Sequence, residues 1–575
     1  MSFTATLRGH AAAHAEKTAL IDDRVRLTYA ELGRLAERVA AGLAARGVRP
    51  GEVVSSVLPN RAEAAVLFHA AHRLGAVLNP IVPIYGAREI RFILRQAESA
   101  AVVVPGRFRG VDFPALVARV RPDVPSLRDV LVVDELEALP QADRPGGEGP
   151  DPNRVAVILY TSGTTAEPKG VLHSATTLAA ECHATIGHHR LGADDVLVMP
   201  SPVSHISGLL YGILLPAVLG ATSVLMEVWD PERFCALVER ERGTFSAGAT
   251  PFLQGVVDLP HLDRFDLRSL RLFPCGGADV PPALIRRAIR RLGVRSGRGY
   301  GSTEFPSITS SAGPDVPEAK RAETDGAVIP PGEIELRDAG GRAVATGREG
   351  EIWARGPELF LGYRDARLDA EAFDERRFFR TGDLGVLDAD GYLTVTGRVK
   401  DIIVRGGEKF SAKEVEDLLF EHPKVRSVAL VPMPDARLGE RACAFVVPAD
   451  ERDPPTLPEL VRFLEGLELS RRKLPERLEL VDALPATACA PMTRNSAWAA
   501  ESADNISTKS RFNPVPLHEG PGLRRELPHH GDALTRAQPA DSAVRAFVLE
   551  PELAHGVGRA VRRRHDGSLA AGSSS

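Results

Sequence analysis

Eleven residues, Tyr160-Thr161-Ser162-Gly163-Thr164-Thr165-Ala166-Glu167-Pro168-Lys169-Gly170, constrain this chain more than any other stretch. They follow an apolar, β-branched run from Val155 to Leu159, which reads as a buried strand. Four aliphatic hydroxyls, two glycines and a lysine then come in quick succession, with little apolar surface to bury. Packing does not account for such a loop, whereas a polyphosphate does. Glycines let backbone N–H groups approach phosphate oxygens, hydroxyls donate further hydrogen bonds, and Lys169 adds a mobile positive charge. The spacing is not Gly-x-x-x-x-Gly-Lys-Ser/Thr, which disfavours a P-loop NTPase. The plain alternative is an ordinary Ser/Thr/Gly turn.

The surrounding pattern predicts the scaffold. Thr28 and Glu31 form a capping box before an alanine-rich amphipathic helix ending near Gly47. Glu52 to Leu58 is strand-like, and Asn60 is expected to cap a helix through Leu74. Strands at 77–81 and 100–104 flank a helix at 89–95, a βαβα rhythm that predicts a mostly parallel sheet covered by helices. The rhythm resumes after the loop with a helix from about Thr176, strands near 195–199 and 221–225, and a helix at 231–242. From about residue 327 the apolar and polar residues alternate, as in half-buried antiparallel strands. A compact α+β unit follows, opened by an expected capping box of Ser411 and Glu414. The fold class is therefore α/β, with a large N-terminal domain, including a β-rich portion, and a small mobile α+β domain. The expected bounds are 1–397, 398–488 and an atypical, disordered tail over 489–575.

At 575 residues the chain is too long for a single core. A charged fraction of 26% and a net charge of −5 are those of a soluble protein and give no basic footprint for nucleic acid. Five cysteines without metal-ligand spacing read as reduced thiols in the cytoplasm. No signal peptide is expected at Met1-Ser2-Phe3-Thr4, and no apolar stretch reaches the roughly 20 residues of a bilayer span.

Further motifs follow in order. Cys275-Gly276-Gly277-Ala278 succeeds an apolar run, and Tyr300-Gly301-Ser302-Thr303-Glu304 succeeds a glycine-rich turn. An aromatic ring can stack on adenine, a hydroxyl can meet a phosphate, and a carboxylate can hold Mg²⁺. In Arg380-Thr381-Gly382-Asp383-Leu384 a turn-held aspartate can accept from both ribose hydroxyls. Gly397-Arg398-Val399-Lys400-Asp401 and Arg405-Gly406-Gly407-Glu408-Lys409 complete the set. Singly, each is more simply a turn.

Together they resemble the adenylate-forming, AMP-binding superfamily, above all its acyl-CoA synthetases, over roughly residues 10–485. One residue of the loop departs, since Ala166 stands where the family usually has glycine. The runs Asn79–Tyr85 and Met199–Val203 look most like cyclohexanecarboxylate-CoA ligases and neighbouring acyl-CoA ligases. The resemblance implies that Thr161, Ser162, Gly163, Thr164, Thr165 and Lys169 bind the phosphates of ATP. It implies that Gly276, Gly277, Ala278, Tyr300 and Gly301 line the adenine, that Thr303 meets the α-phosphate and that Glu304 holds Mg²⁺. Asp383 and Arg398 would bind the ribose, Lys400 would be the hinge, and Gly406, Gly407 and Glu408 would admit the pantetheine of coenzyme A. His205, in Pro202–Gly208, occupies the place of a pocket residue that meets the carboxylate. The uncharged lining at Val203, Ile206, Gly208 and Ala249 points to an apolar acid of moderate size.

The implied activity is an ATP-dependent acid–thiol ligase taking a small carboxylic acid and coenzyme A. Its rivals are an enzyme that loads a carrier protein and a relative impaired in adenylation. A homodimer is left open.

One family feature is missing. Relatives end in Pro-x-Thr-x-x-Gly-Lys, whose lysine reaches the site during adenylation. This chain keeps Leu484-Pro485-Ala486-Thr487-Ala488 and then reads Cys489-Ala490-Pro491-Met492-Thr493-Arg494, in the texture of a shifted reading frame. Arg494 comes late, and its planar fork differs from an ammonium. Losing one preorganised cationic donor costs about 10²–10³ in rate. Adenylation from acid and ATP is therefore expected to be slow, with thioester formation from supplied acyl-adenylate comparatively intact. Grafting a Gly-Lys-containing terminus after Ala488 should restore the first step. Adenylation by the native chain at ordinary synthetase rates would refute this reading.

Overall fold

Capped helices alternating with short apolar strands build most of the molecule. The computed structural model describes residues 2–132, 150–161, 168–277, 279–405, 408–435 and 437–484, with the backbone only of Lys400, Glu408 and Lys409. The tail expectation for 489–575 lies outside the described residues.

The expected box at Thr28 is present. Its hydroxyl accepts from the Glu31 amide at 3.2 Å, and the Glu31 carboxylate accepts from the Thr28 amide at 2.8 Å. The Tyr29–Ala45 helix that it opens buries Leu32, Ala36, Val39 and Leu43, a stripe at helical spacing. Asn60 behaves differently from expectation. The Ala62–Leu74 helix has Arg61 at its N-cap, and the Ala62 amide donates to Asp22 at 2.8 Å. The buried Asn60 amide instead ties down the turn before His205, donating to the Ser201 carbonyl and accepting from the Val203 amide, both at 2.8 Å.

Three sheets form the large part. The first runs Gly362–Tyr363, Lys169–Ser174, Val155–Thr161, Val77–Pro80, Val53–Ser56, Ser99–Val104, Asp129–Val132. Its last five strands are parallel, as the βαβα rhythm predicts, and its first two antiparallel. The second orders Val196–Met199, Thr222–Leu225, Thr18–Ile21, Arg26–Thr28. The third begins with the parallel pair Leu272–Gly276 and Arg295–Tyr300, then runs antiparallel through to Glu333–Arg337. Phe245 bridges to both Leu197 and Leu272, joining the last two sheets. The sheets are thus mixed, and "mostly parallel" holds only for part of the fold.

Residues 402–480 carry a separate sheet, in which Gly439–Pro448 pairs with Ile402–Arg405, Val425–Asp435 and Arg477–Leu480. With the Ala412–Leu419 and Leu457–Gly466 helices it encloses its own core around Ile403, Leu419, Leu430, Val446, Leu460 and Leu464. Among the described residues, no apolar cluster mixes residues from the two sides of 398. Ser411 caps its helix through the Lys413 amide at 3.2 Å, but Glu414 pairs with Lys473 and closes no box. Cys182, Cys235, Cys275 and Cys443 are free and buried, and Cys489 lies outside the described residues. No helix among those residues is long and apolar enough to cross a membrane.

Buried histidines make the fold acid-sensitive. Burial holds His69 near 3 and His72 and His173 near 4, below the ordinary 6.5. Unfolding frees each ring to protonate at its ordinary value, so stability is lost as pH falls from about 6.5 towards 4. Each contributes up to about 1.4 kcal/mol per pH unit. The melting temperature should drop between pH 7 and 5, the three rings outweighing the raised Glu181 carboxyl, which acts with the opposite sign. A flat profile there would contradict these buried neutral rings.

Candidate active site

The phosphate-type segment connects two antiparallel strands. Its flanking strands pair Thr161 with Lys169 and Tyr160 with Gly170. Ser162, Gly163, Thr164 and Thr165 lie outside the described residues, but their two ends are fixed in register. The Lys169 ammonium sits 5.1 Å from the centroid of the Tyr363 ring, a cation–π distance. Tyr363, on the short strand beside Val171, donates its hydroxyl to Glu304 Oε1 at 2.8 Å. The Phe360 amide donates to the Glu304 carbonyl at 2.8 Å. The fold thus brings Lys169 and Glu304 together around one aromatic ring, which the sequence alone does not indicate.

The neighbouring Thr303 is held from behind by His173, 0% exposed, whose Nε2 lies 2.8 Å from the Thr303 carbonyl. A carbonyl can only accept, so Nε2 carries the proton and Nδ1 accepts from the Thr177 hydroxyl at 3.0 Å. With its pKa held near 4 by burial, the ring is neutral at pH 7. His173 and Tyr363 escaped the sequence reading because their roles arise from contacts more than 50 residues apart in sequence.

A second cluster joins the nucleotide motifs. Asp383 faces Arg398 across antiparallel strands. Its carboxylate accepts from Arg398 Nε at 2.9 Å and from the Tyr300 hydroxyl at 2.7 Å. Burial pushes the Asp383 carboxyl up, and Arg398 and Tyr300 oppose that push. Two carboxylate oxygens offer about four acceptor directions, so capacity remains for a further donor.

The glycines divide by role. At Gly276 a side chain would meet the Gly299 carbonyl at 2.4 Å, and at Gly301 the Pro306 carbonyl at 2.0 Å. Close backbone packing therefore requires glycine at both positions. Gly277 differs: its φ is +78°, and nothing lies within 4 Å of where a side chain would start. It presents open, exposed backbone of the kind a flat base can approach. Ala278 lies outside the described residues.

His205 stands at the N-cap of a short helix, Ile206–Leu209, beyond the turn that Asn60 secures. Its Nε2 is buried without a hydrogen-bond partner, and burial pulls its pKa to about 4. A neutral ring with an unsatisfied nitrogen suits a ligand hydrogen bond. The smallness of Gly208 is taken up by packing, since a side chain there would strike the Pro202 carbonyl.

The hinge motif places Lys400 in a short 3₁₀ turn, Val399–Asp401, between the two sheets. Gly406 and Gly407 lie outside the described residues. Arg405 and Glu408, on either side of them, pair across antiparallel strands. Among the described residues no group of three or more His, Cys, Asp or Glu side chains forms a metal cage. Magnesium beside nucleotide phosphates needs only one or two carboxylates, and Glu304 fits that requirement.

Comparison with known proteins agrees with this geometry. Over 495 residues the chain is 34% identical to the medium-chain fatty-acid–CoA ligase of Escherichia coli (strain K12), covering 83% of this chain and 86% of that one. Over 507 residues it is 32% identical to the 2,3-dihydroxybenzoate-AMP ligase of Bacillus subtilis (strain 168), covering 86% and 93%. The o-succinylbenzoate CoA synthetase of Bacillus subtilis, solved with its acyl-adenylate intermediate, superposes with a TM-score of 0.74 at 26% identity, covering 84% of this chain and 95% of that one. Residues 7–364 match the AMP-binding enzyme family and residues 414–490 match the AMP-binding enzyme C-terminal domain, so this chain belongs to the AMP-binding enzymes.

Proposed function

We propose that the protein is an AMP-forming acid–CoA ligase. The observation that carries this reading is the Lys169–Tyr363–Glu304 alignment, with Lys169 in the strand that follows the hydroxyl- and glycine-rich segment. In the first half-reaction a carboxylate oxygen attacks the α-phosphorus of ATP, and the bond to the bridging oxygen of pyrophosphate breaks. In the second, the thiol of coenzyme A attacks the acyl carbonyl, and AMP leaves as its phosphate oxygen takes the bonding pair.

The protein's part is orientation and charge stabilisation. Lys169, with Thr161, Ser162, Gly163, Thr164 and Thr165, binds the phosphates, and Thr303 meets the α-phosphate. Gly277, Ala278 and Tyr300 flank the base, while Asp383 and Arg398 take the ribose. Glu304 would hold Mg²⁺, which supplies charge neutralisation between phosphate oxygens when bound. His205 donates to the carboxylate, Lys400 is the pivot of the small domain, and Gly406, Gly407 and Glu408 pass the thiol arm. The proposed domains are 1–397 and 398–488, supported by the separate core beyond 402.

The likeness to a 2,3-dihydroxybenzoate-AMP ligase favours one second reading, transfer to an acceptor other than coenzyme A. A panel of carboxylic acids with ATP and free coenzyme A separates the two. The proposal expects AMP and acyl-CoA in equal amounts without any carrier protein. AMP or pyrophosphate without acyl-CoA would favour the second reading.

Glu304→Gln should lower turnover about 10²–10³-fold while the melting temperature moves little. The amide oxygen can still accept from Tyr363, so the loop keeps its shape. A large stability loss in this variant would make Glu304 a structural residue.

A further inference from the structure

The wall behind the Thr303–Glu304 loop is polar where the sequence led us to expect an apolar pocket. On the Ala175–His189 helix, Thr177, Glu181 and Thr185 recur every four residues and share a face. Thr177 holds the His173 ring that reaches Thr303, and Glu181 stands one turn farther along, about 6 Å. Glu181 is 1% exposed and accepts from the Thr185 hydroxyl at 2.9 Å. Ser307, three residues after Glu304, lies against the same carboxyl, and its hydroxyl is 3.1 Å from that of Tyr211.

Glu358 completes the cluster. It too is 1% exposed, its charge bears on Glu181, and neither of its carboxyl oxygens has a hydrogen-bond partner in another side chain. A side chain at Gly356 would collide with this carboxyl and with the Phe305 ring, so the glycine leaves Glu358 its place. Burial raises both acids, Glu181 to about 7. Two buried acids within reach of each other's charge are costly, and folding would be served better by an apolar side chain. Such a cost beside a site points to a ligand that supplies the missing donor. Tyr211 lies in the π-helical turn Leu210–Leu214, six residues after His205. One segment therefore carries both the ring assigned to the carboxylate and a hydroxyl of this cluster.

Building on the acid-ligase reading, we propose that Glu181 and Glu358 form the far wall of the acyl pocket and that the acid carries an amino or hydroxyl donor remote from its carboxylate. An ammonium would let both acids ionise around it, while a hydroxyl would donate to Glu358.

The test uses the full chain and matched acids: benzoate against its ring-substituted hydroxy and amino derivatives, and hexanoate against 6-hydroxy- and 6-aminohexanoate. AMP release gives kcat and KM, and calorimetry gives Kd. In each successful series the best donor-bearing acid should exceed the plain acid at least tenfold in kcat/KM or in affinity. Glu358→Leu should bring that ratio near one through KM. Glu358→Gln and Glu181→Gln serve if that variant does not fold, and should shrink the ratio. Plain acids equal to or better than every donor-bearing acid would overturn the proposal while leaving the ligase reading intact. Tighter binding of donor-bearing acids without AMP release from any acid would uphold the wall and overturn the ligase reading. Neither binding nor turnover by any acid would overturn both.

Discussion

The buried pair of Arg298 and Asp325 underlies the assembly of the nucleotide side. Arg298 donates through Nε and a terminal nitrogen to the two Asp325 oxygens at 3.0 and 2.8 Å, and both residues are almost fully buried. Asp325 also accepts from the Val395 amide at 2.8 Å, and its own amide donates to the Leu393 carbonyl at 2.7 Å. One carboxylate thereby ties the Arg295–Tyr300 strand to the Tyr392–Arg398 strand. That tie sets Tyr300 beside Asp383 and Arg398, which come from those strands and the next. Bringing two charges out of water is expensive, and only bidentate geometry with a further backbone bond offsets it. The position of the Thr303–Glu304 loop follows, because it begins where the Arg298 strand ends.

How much of this was legible in the sequence depends on the range of the interactions. The Thr28 box and the Tyr29–Ala45 stripe are local, decided by residues three or four apart, whereas the Lys169–Ser174 strand after the loop was not foreseen. Motif order singled out Lys169, Glu304 and Asp383 as candidates, since each motif carries its chemistry within a few residues. Asn60 failed as a cap because a better use of its amide, the turn at 201–203, lies about 140 positions away. Gly276 is packed against the neighbouring strand at Gly299, a constraint that sequence does not show. His173, Tyr363, Glu181 and Glu358 were invisible for the same reason, their partners being supplied by the fold.

Electrostatics around the site are arranged by burial more than by net charge. His173 and His205 are kept neutral, so one can donate to Thr303 and the other can keep an unsatisfied nitrogen for a ligand. Asp383 is pushed up by burial, and Arg398 and Tyr300 hold against that push. Lys169, by contrast, is only half-buried and faces an aromatic ring without a carboxylate partner in the described structure. A cation held over a polarisable face is easier to recruit by incoming phosphates than one locked in an ion pair. The preorganised groups and the recruitable one thus occupy different sides of the same loop.

The small α+β unit meets the large part through groups suited to parting. Lys413, 4% exposed, lies 3.5 Å from Asp279, which adjoins the open Gly277 turn, and 2.9 Å from Asp417 on its own helix. Burial works against the Lys413 charge, yet the two carboxylates carry its pKa above the ordinary lysine value. Arg286 reaches Glu421 at 3.7 Å beside it. Separating an apolar seam exposes surface at about 25 cal/mol per Å² with nothing returned. Separating a buried ion pair returns hydration to both charges, and this offsets most of the Coulomb attraction lost. Among the described residues no apolar cluster spans residue 398, so the contacts described here between the two parts are ionic. Asp279 stands two positions after Gly277, so the Lys413 pair and the open turn fall on the same few residues.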